Sequence, residues 1–126
     1  MTDKVVDASA IAAMLFDETT ADKIAARLHG HRLFAPALLY TEFANTFLKK
    51  VRANSAKRDV FFAAFDRLDR MAITLVDVDV RAALALAEHH KLSAYDASYL
   101  WLASELGVEL VTLDEKLEKA ARHLGS

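Results

Sequence analysis

Apolar residues fall along the chain in two alternating patterns: short β-branched runs, and longer segments in which they recur every three or four positions. Strands separated by helices produce that alternation. Lys4 to Asp7 is a short run ended by an acid, and Ala8 to Phe16 follows at once as a helix. Thr19 and Thr20 are candidate caps of a second helix through Leu28, with Gly30 as its stop and Arg32 to Ala35 as a second strand. Pro36 suits the first turn of a long helix, which carries Leu38, Leu39, Phe43, Phe47, Leu48 and Val51 on a buried face and fades near Asn54 and Ser55. Ser55 is placed to cap a helix to about Met71, with Phe61, Phe62, Phe65 and Leu68 as its apolar stripe. Ile73 to Val76 reads as strand three, and Asp79 opens a helix through Ala82, Ala83, Leu86 and Ala87. Tyr95 to Leu106 is a further helix halted by Gly107, Val108 to Leu113 is strand four, and Asp114 to Leu124 is an amphipathic terminal helix.

Parallel strands need crossovers and bury both faces, so this order predicts an α/β fold: a three-layer α/β/α sandwich around a mainly parallel sheet of four to five short strands. No repeat, linker or low-complexity segment interrupts it, and residues 1–126 are read as a single domain.

Composition narrows the chemistry. Hydrophobic residues make up 54% and charged residues 27%, with three Gly and one Pro, which suits a compact helix-rich chain and not a disordered one. There is no cysteine, so disulfides and thiolate metal sites are excluded, and a metal would have to be held by oxygen or histidine. No apolar run reaches the roughly 18 residues of a spanning helix, and the start MTDKVVD lacks a signal-peptide pattern, so a soluble cytoplasmic protein without membrane contact is expected. Sixteen basic against eighteen acidic residues give a net charge of −2, which does not announce a nucleic-acid binder. Only local clustering could supply one. Lys49, Lys50, Arg52, Lys57 and Arg58 form such a cluster across a helix junction and are candidate RNA-backbone contacts, weighed evenly against a solvated surface; Arg67, Arg70 and Arg81 could add to them. His29, His31, His89, His90 and His123 lie mostly near helix carboxyl ends, where a cation is favoured, and are read as structural. Trp101, Tyr99 and Leu102 are read as core, as are the phenylalanines, although an overexposed part of the Phe61, Phe62 and Phe65 stripe could form a groove for a partner helix or a dimer contact.

In open α/β sheets ligands bind beyond the carboxyl ends of the strands. Asp7 ends strand one and Asp114 lies at the exit of strand four, with Thr112 two residues earlier on the same side. Glu42 sits on the long third helix and Asp96 begins the helix before strand four. If strands one and four are neighbours, the four carboxylates can converge. Two carboxylates 4 Å apart repel by roughly 4 kcal/mol at an effective dielectric near 20. A divalent cation resolves that conflict, and an all-oxygen shell suits Mg²⁺ or Mn²⁺. Such an ion can activate a water for phosphodiester hydrolysis. Taken singly, Asp7, Asp96 and Asp114 are more often helix caps than ligands, and Glu42 a solvated helix residue. Only their joint placement moves the reading.

Four pieces of sequence, Val5-Val6-Asp7-Ala8-Ser9, Glu42-Phe43-Ala44-Asn45, Leu92 to Leu100 around Tyr95-Asp96-Ala97, and Val111-Thr112-Leu113-Asp114, together resemble the PIN-domain ribonucleases, and within them the VapC toxins of toxin–antitoxin pairs. The resemblance covers nearly the whole chain. It implies a metal-dependent endoribonuclease in which Asp7, Glu42, Asp96 and Asp114 bind one or two Mg²⁺ or Mn²⁺ ions. Asp7, Glu42 and Asp96 would be the firm ligands, and Asp114 would tune a second ion or a water. By the same resemblance Ser9 and Thr112 match hydroxyl positions that orient the first acid or a water, and Asn45 matches a polar position one turn after the Glu. It further implies an RNA substrate, a VapB-type antitoxin, and a homodimer that forms a heterotetramer or larger assembly with that antitoxin; a tight inhibitor would have to supply a positive charge at the acids, so an inserted Arg is expected. Relatives often add a strand after the last helix, where this sequence runs Arg122-His123-Leu124-Gly125-Ser126.

Two other readings compete. A phosphoacceptor receiver also combines a parallel sheet, acids and Mg²⁺, with Asp77 as acceptor, but Ala8-Ser9 follows Asp7 where a second acid would be wanted and no Lys ends a fifth strand. A noncatalytic PIN module acting through protein contacts would have no use for all four acids.

Overall fold

The computed structural model describes residues 2–124. The chain runs β1 (Asp3–Val6), α1 (Ala8–Leu15), α2 (Ala21–Leu28), β2 (Arg32–Pro36), α3 (Leu38–Ala53), a 3-10 turn (Ser55–Lys57), α4 (Arg58–Arg70), β3 (Thr74–Val76), α5 (Val80–His90), α6 (Ala94–Leu106), β4 (Glu109–Val111) and α7 (Glu115–Leu124). The strands form one sheet in the order β3-β2-β1-β4, every pair parallel. The α/β sandwich read from the sequence is therefore the fold, with four strands among the described residues.

Strand β1 and its neighbour β4 reach the centre of the core. Val5 and Val6 are fully enclosed, as is Val111 of β4, which is what strands covered by helices on both faces require. Helices α1 to α4 pack mainly on one another, while α6 lies on β1, β2 and β4 with α5 and α7 beside it. Almost every position of α6 from Ala97 to Ala103 is buried, so this helix is apolar nearly all round, the pattern of an element packed on several sides. Tyr99, Leu100 and Leu102 of α6 and Phe43 of α3 are among the most deeply enclosed side chains.

From β1 the chain steps to β2 and β3 in one direction and then returns to place β4 on the other side of β1. The crevice between β1 and β4 is thus the switch point at which open α/β sheets bind ligands, at the carboxyl ends of the strands. Val6 is in register with Val111, and the Asp7 N–H continues the ladder by donating to the Val111 carbonyl at 3.1 Å.

Several local expectations are corrected. Pro36 closes β2 in register with Val76 and does not enter α3, which starts at Leu38. Ser55 does not cap α4; it belongs to the 3-10 turn, and α4 begins at Arg58 with no side-chain cap. Thr20 precedes α2 but its side chain makes no cap bond. Strand four is shorter than its apolar run because Thr112 and Leu113 already turn away from the ladder toward α1. Leu48 and Phe62 are each 41% exposed, so the apolar faces of α3 and α4 are wider than the core they cover.

Candidate active site

Asp7 is the N-cap of α1 and the most enclosed of the acids, 4% exposed. Its Oδ1 accepts from the Ser9 hydroxyl at 2.7 Å and from the Ala10 N–H at 3.0 Å, and its Oδ2 accepts from the Thr112 hydroxyl at 2.5 Å. A carboxylate has about four lone-pair positions. Three are engaged here, which leaves Oδ2 one position for a ligand.

Thr112 and Ser9 also receive. The Asp114 N–H donates to Thr112 Oγ1 at 3.0 Å and the Leu113 N–H to Ser9 Oγ at 3.2 Å. The start of α1 and the exit of β4 are thereby tied together through two hydroxyls 3.4 Å apart. Asp114 in turn accepts from the Leu117 N–H at 2.8 Å and caps α7. Asp96 caps nothing: Ser93 holds that place on α6, accepting from the Asp96 N–H at 3.0 Å. The Ser93 side chain in turn supports the Asp96 carboxylate, which caps no helix itself.

Glu42 is half-buried on α3, one turn inside the helix start, and its Oε1 accepts from the Tyr99 hydroxyl at 2.7 Å. The sequence reads Tyr99 only as core. It is 1% exposed, yet it is also the polar support of an acid. The spacing from Asp96 to Tyr99 is i to i+3, which places both on one side of α6, and that spacing is the signal by which its role could be found.

The electrostatics link the acids to each other. Burial pushes the Asp7 carboxyl up from its ordinary range, the charge of Asp114 adds to that, and the bonds from Thr112, Ala10 and Ser9 pull back. Glu42 is raised by burial and by the charges of Asp96 and Asp7, against the Tyr99 bond. Asp96 is raised by burial and by Asp114 and Asp7, against Ser93 and the nearby Lys116. The Tyr99 phenol is driven far above its ordinary range by burial first and by Glu42 next, so it stays a donor. The charges of the four acids therefore act on one another across the crevice.

Among the described residues no three His, Asp or Glu side chains close on one point as a ready-made coordination shell. The donor set nonetheless fits Mg²⁺ or Mn²⁺, because Mg²⁺ is ordinarily held by one or two carboxylates and keeps several waters or substrate oxygens. Ser9 and Thr112 stand against Asp7 as described, whereas Asn45 is exposed on α3 with no hydrogen bond to an acid. The basic cluster is not brought to the acids. Lys49 to Arg52 lie seven to ten residues beyond Glu42 on the same helix, about 10–15 Å along its axis. Lys50 sits over the Phe16 ring at 5.0 Å and Arg58 over Phe62 at 4.4 Å. Asp77 follows the edge strand β3, two strands from β1 and so about 10 Å away, which separates it from Asp7.

A PIN domain profile matches residues 4–123. Ribonuclease VapC3 of Pyrobaculum aerophilum is 33% identical over 124 residues, an alignment that covers 90% of this chain and 90% of that protein. The fold is also similar to the crystal structure of PAE2754 from Pyrobaculum aerophilum, with a TM-score of 0.79 and 24% identity over 96% of this chain and 86% of that one.

Proposed function

The chain belongs to the PIN-domain family, and from that premise we propose that it is a Mg²⁺- or Mn²⁺-dependent endoribonuclease and the toxin of a type II toxin–antitoxin pair, acting in the cytoplasm. One observation carries the reading: Asp7, Glu42, Asp96 and Asp114, from four separate stretches of chain, set like charges against one another at the β1/β4 switch point. Capping accounts for Asp7 and Asp114 one at a time, but not for bringing Glu42 and Asp96 to the same crevice against their charges; a cation-binding site accounts for all four.

When bound, Mg²⁺ or Mn²⁺ supplies a water of lowered pKa and offsets the charge that develops on the phosphate. Asp7, Glu42 and Asp96 would hold it, through carboxylates and intervening waters or substrate oxygens, and Asp114 would tune it. Thr112 and Ser9 fix Asp7 so that the open position on Oδ2 is the one presented. Tyr99 fixes Glu42 and favours its charged form. Main-chain bonds from the capped helix starts keep Asp7 and Asp114 in place without occupying every acceptor. Preorganised acids of this kind spare the reorganisation that water would need.

The reading extends to partners. The substrate is RNA, the inhibitor is a VapB-type antitoxin, and a positively charged side chain, Arg above all, is what an inhibitor would insert among four carboxylates. The toxin is a homodimer that assembles into a heterotetramer or larger complex. No helix of the described residues is long and apolar enough to cross a membrane.

Purified protein should cleave RNA in Mg²⁺ or Mn²⁺, stop in chelator, and lose at least roughly 100-fold in rate on Asp7→Asn. Wild-type rates in that variant would overturn the proposal.

A further inference from the structure

One exposed side chain at the acids takes no part in the mechanism. Tyr95 is 64% exposed, and among the described residues its ring stacks on no other aromatic side chain and its hydroxyl makes no hydrogen bond. A single exposed tyrosine is ordinary on a protein surface. Its place is not. Tyr95 immediately precedes Asp96, and it is four residues from Tyr99, so the two tyrosines lie on one face of α6. The inner one reaches Glu42. Helical side chains lean toward the amino end, so Tyr95 stands one turn, about 5 Å, farther out over that same face, at the rim of the acids.

A second side chain beside Asp96 is also unexplained. Lys116 is exposed in the first turn of α7, two residues after Asp114. A cation there opposes the helix dipole, and the acids Glu115 and Glu118 in that turn are what the dipole favours. Asp114, which caps this helix, is tied through Thr112 to Asp7, so the first turn of α7 opens beside the acids and carries Lys116 with it.

An aromatic face on the α6 side of the acids and an ammonium group on the α7 side match the two parts of a nucleotide. We propose that Tyr95 and Lys116 form a one-nucleotide subsite of the active site, in which the Tyr95 ring stacks on an unpaired RNA base and Lys116 takes an adjoining phosphate. The ring selects for an unstacked base because a paired one does not offer its face. Lys116 adds charge-based affinity without reading sequence. The inference rests on the ribonuclease reading and assigns that site's contact residues.

The test is binding of a fluorescent single-stranded RNA oligonucleotide, measured by anisotropy over a series of salt concentrations with Ca²⁺ in place of Mn²⁺ and with the oligonucleotide checked to be intact afterwards. Tyr95→Ala should weaken binding roughly 5- to 150-fold and leave the salt slope unchanged, while Tyr95→Phe and Tyr95→Trp keep affinity. The indole fluorescence that Tyr95→Trp adds to the protein should be quenched when an unlabelled oligonucleotide binds. Lys116→Gln should weaken binding and flatten the logarithmic salt slope by about 0.7. Both positions are exposed, so the melting temperatures should stay close to that of wild type. Wild-type affinity in Tyr95→Ala, or an unchanged slope in Lys116→Gln, overturns the subsite. If the wild-type protein neither binds the oligonucleotide nor cleaves RNA, the ribonuclease reading itself falls; if it does both and the variants match it, only the subsite falls.

Discussion

The Tyr99 hydroxyl donates to Glu42 Oε1 at 2.7 Å, so a side chain in the middle of the core supports a carboxylate at the surface of the crevice. The phenol is locked in its neutral form, and a neutral donor at this distance favours the charged state of Glu42 over the protonated one.

Tyr99→Phe keeps the ring and its packing and removes only the donor. Stability should fall by about 0.5–1.5 kcal/mol in denaturant unfolding, the worth of one hydrogen bond to a half-buried group. Mn²⁺ affinity, measured by calorimetric titration, should weaken together with the cleavage rate, because Glu42 loses the contact that fixes its position. Unaltered metal affinity with a full loss of stability would reduce Tyr99 to a packing residue.

Thr112 has a larger share of the site than a strand residue would. Its hydroxyl donates to Asp7 and accepts from the Asp114 N–H, so Thr112→Val, which keeps the shape, orphans groups on both sides of the crevice. A loss of about 1–3 kcal/mol in stability is expected. The cleavage rate should drop by roughly tenfold or more, the usual cost of losing a residue that orients a metal ligand, while Thr112→Ser recovers most of it. Wild-type cleavage in Thr112→Val would show that the hydroxyl has no part in orienting Asp7.

The arrangement of the helices is legible in the sequence because long apolar stripes leave little choice of face. Tyr95 to Leu106 needs only Ala94 added to become α6, and Gly107 stops it at a φ of +66° as its sequence position implies. Short elements carry less. Pro36 fits the end of a strand as well as the start of a helix, since the missing N–H is tolerated in both places, and only the pairing with β3 decides. Ser55 has a cap's composition, but the chain turns through Asn54 before α4 begins. The acids illustrate the same limit. Asp7 and Asp114 are caps and members of the cluster at once, so composition does not separate the two roles, whereas Asp96 is shown to be no cap only by the Ser93 bond. Tyr99 is hidden because an aromatic residue in an apolar helix reads as core whether or not its hydroxyl has a task.

The raised carboxyls predict how stability without metal follows pH. Asp7, Glu42 and Asp96 have ordinary values of 3.8, 4.5 and 3.8, and each lies higher in the fold. Between the ordinary and the folded values the native state holds more protons than the unfolded one, so unfolding free energy falls as pH rises. Their contribution is complete below about pH 4 and is lost as pH climbs through the folded values. Glu109, held low by Arg27, acts in the opposite sense, but that pair is half-exposed and small in effect. In chelator, lowering the pH from about 7.5 to about 4 should therefore stabilise wild type more than Glu42→Gln, relative to each protein at about pH 7.5. Adding Mn²⁺ should raise the melting temperature at about pH 7.5 by more than at about pH 4, where protons compete. Parallel pH profiles in the two proteins would refute the coupling.

Capping and charge can be separated by comparing Asn with Ala at two of the acids. Asn keeps an acceptor for the Ala10 N–H and the Ser9 hydroxyl, while Ala removes it; neither carries the charge, so the relief of repulsion cancels in the comparison. At position 7, Ala should be less stable than Asn by about 1–2 kcal/mol, the range for a lost N-cap. At position 96 the cap is Ser93, so Asn and Ala should differ by no more than about 0.5 kcal/mol. All four variants should be inactive, since activity follows the charge that both substitutions remove. Urea unfolding in chelator gives the stability differences and an RNA cleavage assay gives the activities. An Asn–Ala gap at position 96 as large as at position 7 would mean that the Ser93 contact to Asp96 has the weight of a helix cap, and the separation of capping from charge at Asp96 would fail.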